Sequence, residues 1–301
     1  MKRAYQYSVA AQVWALREYG EVGPRTFGAL MAHFGNLAAI LEAEEAQLRE
    51  ISGLGDIKSR RIAESFESLP KAERFVNGLK EREIGVATIF DADYPSHFRE
   101  LNDPPPIIFY RGRLPADEEK TVAIVGSHNA TNEGIQNAVQ LSGKLAAQSV
   151  SIVSGLARGI DTAAHIGALK AGGRSYAVLG SGFDHIHPEE NRALAVELVN
   201  SGALISEYSP DAEYTTGRIL ARNRLTVGLS QAVVIGELFG DSSGTLDTAT
   251  FCQEAGKLMF VLIDGCERPG KDNRGVEKTL SLGAIPITLN DGVDIVLKSL
   301  V

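Results

Sequence analysis

Apolar residues recur every three or four positions through the first 80 residues, over 9–19, 24–34, 36–43, 45–51, 59–69 and 71–81. That spacing predicts a small all-helical unit. From residue 121 the pattern changes, and short, almost wholly apolar runs alternate with amphipathic ones. The runs TVAIVGS (121–127), SIVSG (151–155), SYAVLGSG (175–182), ALISEY (203–208), QAVVIGE (231–237) and KLMFVLI (257–263) read as strands. Helices are expected between them over 133–148, 160–171, 189–200, 217–229 and 243–255. The tail adds a helix over 277–282, a short strand AIPIT (284–288) and a last amphipathic helix over 292–300. Apolar strands alternating with amphipathic helices make a doubly wound, mostly parallel sheet whose ligand loops lie at the carboxyl ends of the strands. The fold class is therefore α/β, with a helical domain over 1–82 and a sheet domain over 83–301 that includes a connector over 83–120.

Turn residues sharpen this picture. In LREISGLGDIKSRRIAESF (48–66) two helical segments are joined by Gly53-Leu54-Gly55, a spacing that resembles a helix-hairpin-helix motif. Such hairpins present amides to a phosphate backbone without reading bases, and the same geometry also serves as a plain packing hairpin. The connector holds Pro104, Pro105 and Pro106, which exclude helix and demand an extended crossing.

The chain has 301 residues, 44% of them hydrophobic, and a formal net charge of −8. This is material for one large core and one smaller one. The acidic balance excludes a generally basic surface and leaves room for a local basic groove. There is no apolar run of about 18 residues, and the start of the chain has no convincing cleavage site, so a cytoplasmic protein without a membrane segment is expected. Cys252 and Cys266 form no CxxC pair, which argues against a disulfide framework or structural zinc.

The candidate chemistry lies in the loops after the strands. Gly126, Ser127, His128 and Asn129 follow the first strand of the sheet, where phosphate is commonly cradled. They do not form GxGxxG, which disfavours a nicotinamide cofactor; no cofactor is expected. In GLARGID, Gly155 and Gly159 let the backbone bend, Arg158 adds a positive charge, and Asp161 sits at the helix start where it caps amides. Arg218 follows a turn, while Arg222 and Arg224 flank Asn223 near a helix head and offer bidentate grips for phosphate. Ser243, Gly244 and Thr245 bring hydroxyls and amides to another helix start. His185 and His187 form an HxH pair with no third ligand at suitable spacing, so no metal site is expected. No nucleophile triad stands out, and Glu207 and Glu237 are the carboxylates positioned for base work or for loop support.

Taken in order, VAIVGSHN, SIVSGLARGIDTAAHIGALKAGG, AVLGSGFDHIHPEENRALA, GALISEYSP, LARNRLTVGLS and SGTLDTA resemble the DNA-processing protein A family, also called Smf. The likeness covers roughly residues 94–262. It implies an extended Rossmann-like domain that binds single-stranded DNA in a basic pocket, forms a homodimer, delivers the strand to a RecA-type recombinase, and has no known catalysis. By motif match, Arg158 is the basic residue of GLA(R/K)GID, and Gly126, Ser127, Arg222 and Arg224 fall on pocket positions. Three departures stand out. His128 replaces the arginine usual in the first loop, and a histidine carries a full charge only in the acid range, which implies weaker or more pH-dependent binding. Asp241-Ser242 replaces a usually basic segment, and Asp264-Gly265 a usual Pro-Gly. The winged-helix domain carried by many members at the carboxyl end is not expected here. The alternative class is a nucleotide-binding or nucleotide-hydrolysing protein related to phosphoribohydrolases, including one acting in defence against foreign DNA. Their PGGxGTxxE pattern is incomplete in Asp241-Ser242-Ser243-Gly244-Thr245.

Overall fold

The structure, a computed structural model, describes residues 6–240, 243–264 and 272–300. The expectations on Asp241, Ser242, Gly265 and Cys266, and on the Ser243 side chain, fall outside what it describes. The chain divides into two compact units, Met1–Phe109 and Tyr110–Val301.

The first unit contains α1 (Val9–Trp14), α2 (Pro24–Phe34), α3 (Leu37–Glu42), α4 (Glu45–Arg49), α5 (Asp56–Ser65) and α6 (Leu69–Leu79), then β1 (Gly85–Thr88), α7 (Ser96–Arg99) and the start of β2 (Ile107–Gly112). Sequence reading assigned 83–109 to the second domain; the compact division places these residues in the first unit. Aromatic packing is the reason. Trp14 stacks on Phe75 at 4.9 Å and meets Phe109 edge-on at 5.2 Å. The proline run is held in place by its carbonyls: Pro106 accepts the Ile89 amide at 3.0 Å and Pro105 the Tyr94 hydroxyl at 2.7 Å.

The second unit alternates without interruption: β3 (Thr121–Val125), α8 (Asn132–Ala146), β4 (Ser151–Ser154), α9 (Ile160–Lys170), β5 (Ser175–Leu179), α10 (Arg192–Ser201), β6 (Ala203–Ser206), α11 (Thr216–Gly228), β7 (Ala232–Ile235), α12 (Ser243–Glu254), β8 (Leu258–Leu262), α13 (Arg274–Ser281), β9 (Ile285–Ile287) and α14 (Gly292–Ser299). Its strands lie in the order β6-β5-β4-β3-β7-β8-β9, all parallel. The fold is Rossmann-like and doubly wound, as expected. Val122 and Ile124 on β3 pack with Leu141, Leu145, Ala164 and Ala168 of α8 and α9, and Val296 of α14 closes the same core. Ala123 and Val125 alternate to the opposite face and are also buried, because α11 and α12 cover it. The chain runs outward from β3 to β6 and then returns to β7 on the other side of β3. This reversal opens a crevice at the carboxyl ends of β3 and β7.

Candidate functional site

Hydrogen bonds between loops build the walls of the crevice. The Ser127 amide donates to the Glu237 carbonyl at 2.8 Å, which ties the β3 loop to the β7 loop. The Ile160 amide donates to the Ser127 carbonyl at 3.2 Å and brings in the start of α9. This approach requires Gly159, whose φ is +72° and where a Cβ would lie 2.1 Å from the Ser127 oxygen. The Glu237 carboxylate accepts from the Thr131 amide and, at 2.7 Å, from its hydroxyl, while Thr131 in turn caps α8.

Asp161, in the first turn of α9, turns its carboxylate back onto its own loop. Its Oδ2 accepts the amides of Gly155 at 3.1 Å and Ala157 at 3.4 Å. The loop is thereby fixed, but amides that could have met a ligand are already used.

The positive charge of the crevice comes from α11. Arg222 is 3% exposed, and a Cβ on Gly155 would come within 1.5 Å of its Nη1, so the guanidinium occupies the space that Gly155 leaves. Its Nη1 donates to the Thr226 hydroxyl at 3.4 Å, a long contact, and its Nε is buried with no partner. Burial lowers the Arg222 pKa while the Asp161 charge opposes that shift. Burial likewise raises the Asp161 pKa, against the charges of Arg222 and His128. Desolvation thus pulls both groups toward neutrality and leaves Arg222 short of acceptors.

Together these elements enclose a cavity of 230 Å³. Gly126 and His128 line it from the β3 loop, Asp161 from α9, Ile219, Leu220, Arg222 and Asn223 from α11, and Gly244, Thr245 and Thr248 from α12. The Gly244 carbonyl accepts Asn223 Nδ2 and the Thr248 hydroxyl, each at 3.1 Å, which locks α12 to α11. Ser127, Gly155 and Gly159 stand behind this lining and shape it.

Several sequence-expected residues face elsewhere. Arg158 is exposed and grips Glu190, Nη2 to Oε2 at 3.0 Å; the hydrogen bond raises the Arg158 pKa and holds Glu190 down at about 2. The charge that sequence reading aimed at a ligand is engaged by Glu190, and Arg158 does not line the cavity. Arg224 pairs with buried Glu207 at 2.6 Å. Arg218 donates to the Glu213 carbonyl at 2.7 Å and lies over the Tyr208 ring. Asn129 is exposed and outside the lining. His187 packs its ring 3.9 Å from that of Tyr214, and among the described residues no three His, Cys, Asp or Glu side chains group as metal ligands.

In the first unit, the α4–α5 hairpin has acidic Asp56 in the first turn of α5. Its arginines are paired: Arg49 with Asp56 at 3.1 Å, Arg60 with Glu45 at 3.8 Å, and Arg61 with Glu21. Sequence reading overlooked Tyr214, Thr216, Ile219, Leu220 and Thr248 in the cavity wall. Only Tyr214, an aromatic residue just ahead of a helix start, carried any signal.

The family model for DNA recombination-mediator protein A matches residues 85–297, nearly the whole of the second unit with β1 and the connector. The chain belongs to this family. Among relatives, Protein Smf of Synechocystis sp. is 35% identical over 88% of this chain and 71% of its own length. The DNA processing protein DprA of Bacillus subtilis is 32% identical over 68% of this chain and 70% of its length. The solved structure of DNA processing protein A from Streptococcus pneumoniae superposes with a TM-score of 0.79 at 26% identity, covering 96% of this chain and 98% of that one. The Helicobacter pylori DNA processing protein A, whose structure concerns its single-stranded DNA binding mode, superposes at 0.61 with 29% identity over 71% of this chain and 96% of that one. No helix among the described residues is long and apolar enough to cross a membrane.

Proposed function

We propose that the crevice binds single-stranded DNA through its phosphate backbone and does no chemistry on it. The observation that carries this reading is Arg222, a buried guanidinium at the switch point with an unpartnered Nε and a lowered pKa. An arriving phosphate supplies the acceptors and the negative charge that this group lacks. Gly126, Gly244 and Thr245 line the same cavity, and the Thr245 hydroxyl gives a phosphate a neutral donor. Ser243, at the start of α12, completes this set in the proposed site. The solved Helicobacter pylori relative, described for its single-stranded DNA binding, supports the same ligand class.

Binding is favoured over hydrolysis because the two carboxylates suited to base work are committed elsewhere. Glu207 neutralises Arg224, and Glu237 holds Thr131. Around His128 in the lining, Arg158, Arg218 and Asn129 form the outer ring of the proposed interface, with Arg158 reaching DNA only by leaving Glu190, while buried Arg224 supports α11 through Glu207. Delivery of the bound strand to a RecA-type recombinase and assembly as a homodimer extend the proposal through family membership.

The test is titration of a fluorescent single-stranded oligonucleotide at about 50 and 200 mM salt. Affinity that falls as salt rises is expected. Absence of binding at low salt, or release of free base from nucleotides, would overturn the reading. Size-exclusion with light scattering and pull-down of a RecA-type recombinase on DNA test the two extensions.

A further inference from the structure

We infer that Tyr214 is a stacking seat for a nucleobase next to the phosphate seat at Arg222. This rests on the DNA-binding reading above and adds a second kind of contact to it. Tyr214 lies in the segment between β6 and α11 and is 40% exposed, an unusual position for a large ring in a domain whose other tyrosines include fully buried Tyr176. It lines the same cavity as Arg222, Ile219 and Leu220. Its hydroxyl makes no hydrogen bond among the described residues, so no polar contact of the phenol accounts for its place.

His187 explains how the ring is held. The two rings have centroids 3.9 Å apart and planes inclined by 36°. His187 comes from the loop between β5 and α10, so two separate loops fix the orientation of Tyr214. This contact occupies one side of the ring, and the residue keeps 40% of its surface exposed beside the cavity. A ring ordered in advance loses little freedom when a base stacks on it, which favours binding. The apolar side chains of Ile219 and Leu220 continue the surface beside it, while Arg222 and the α12 start supply the polar end. An apolar platform beside an anion seat suits the two halves of one nucleotide. Since every base has a π face, such a seat tolerates sequence.

The experiment uses the full chain and two oligonucleotides of equal length and phosphate number, one with bases and one abasic. The unsubstituted protein is expected to bind the base-bearing strand about tenfold more tightly than the abasic one, within the range of one stacked base. Tyr214→Ala is expected to remove that preference by weakening the base-bearing strand about tenfold relative to the abasic one, whereas Tyr214→Phe keeps it. A 2-aminopurine strand should show fluorescence quenching with the Phe variant that is weaker with the Ala variant. If Tyr214→Ala retains the full preference for bases, the stacking seat is wrong while DNA binding stands. If neither strand binds any form of the protein, the DNA reading fails and the seat with it.

Discussion

Arg158 and Arg222 bear the same guanidinium in very different surroundings: one exposed against Glu190, the other 3% exposed with an unpartnered Nε. Arg222→Lys, which keeps the charge but loses the planar fork, is therefore expected to weaken oligonucleotide binding more than Arg158→Ala does. Equal losses in the same titration would move the anion seat to the α9 loop. Gly155→Ala is expected to weaken binding at least as much as Arg222→Lys, because the new methyl group would displace the guanidinium. His165 offers a separate prediction about pH. It is wholly buried, its Nδ1 lies 2.7 Å from Ser175 Oγ, and burial together with the Arg222 charge lowers its pKa to about 3. Below its ordinary value near 6.5, the unfolded chain takes up a proton that the folded chain refuses. Stability from this group is complete above that value and falls as pH drops toward 3. The expected loss between about pH 7.5 and 5 is roughly 2 kcal/mol, and His165→Gln should shrink it in urea denaturation at the two pH values. At this scale the sequence pointed to Gly126, Asp161, Arg222 and Thr245, which line the cavity, but it could not say which arginine finds a carboxylate. Glu190 is 32 positions from Arg158 and Glu207 is 17 from Arg224, so only the fold brings them together.

Helix α11 is placed by its two ends. The Thr215 hydroxyl accepts the Arg218 amide at 3.2 Å at the start. At the far end Lys257 donates to the carbonyls of Val227, Gly228 and Ser230 at 3.1, 2.8 and 2.5 Å, satisfying oxygens that the helix leaves open. Lys257→Met is expected to destabilise the protein by about 1–3 kcal/mol in chemical denaturation, since buried carbonyls then lose their donor. A loss within error would show that water replaces the ammonium without cost. Most elements were legible because β3, β4, β5, β6 and β7 are short and wholly buried, a pattern that few alternatives share. The boundaries shifted where backbone geometry outweighed periodicity. Helix α5 begins at Asp56, directly after extended Gly55, three residues ahead of where apolar spacing alone puts it. The run after the triple proline became β2 rather than a bare crossing, because Ile107, Ile108 and Phe109 bury completely.

For the whole molecule, the net charge of −8 makes any anion site a local exception to the surrounding field. A salt slope of about −1 to −3 in log affinity against log salt is expected, corresponding to a few neutralised phosphates at about 0.7 each. A much steeper slope would mean that an extended basic track, absent from the crevice described above, takes part. The alternation of apolar runs and amphipathic helices was enough by itself to determine a parallel, doubly wound sheet, since such strands can only be satisfied when covered on both faces. The glycine-bearing loops were bound to collect at its carboxyl edge, since every crossover returns the chain in the same direction. The tertiary structure alone decided the strand order, with β7 returning beside β3, and so opened the crevice between those two loops. It also paired Arg158 and Arg224 with carboxylates and left Arg222 buried and under-satisfied behind Gly155. Charge is written in the sequence, but whether it is neutralised, buried or offered to a ligand depends on neighbours that only folding brings near.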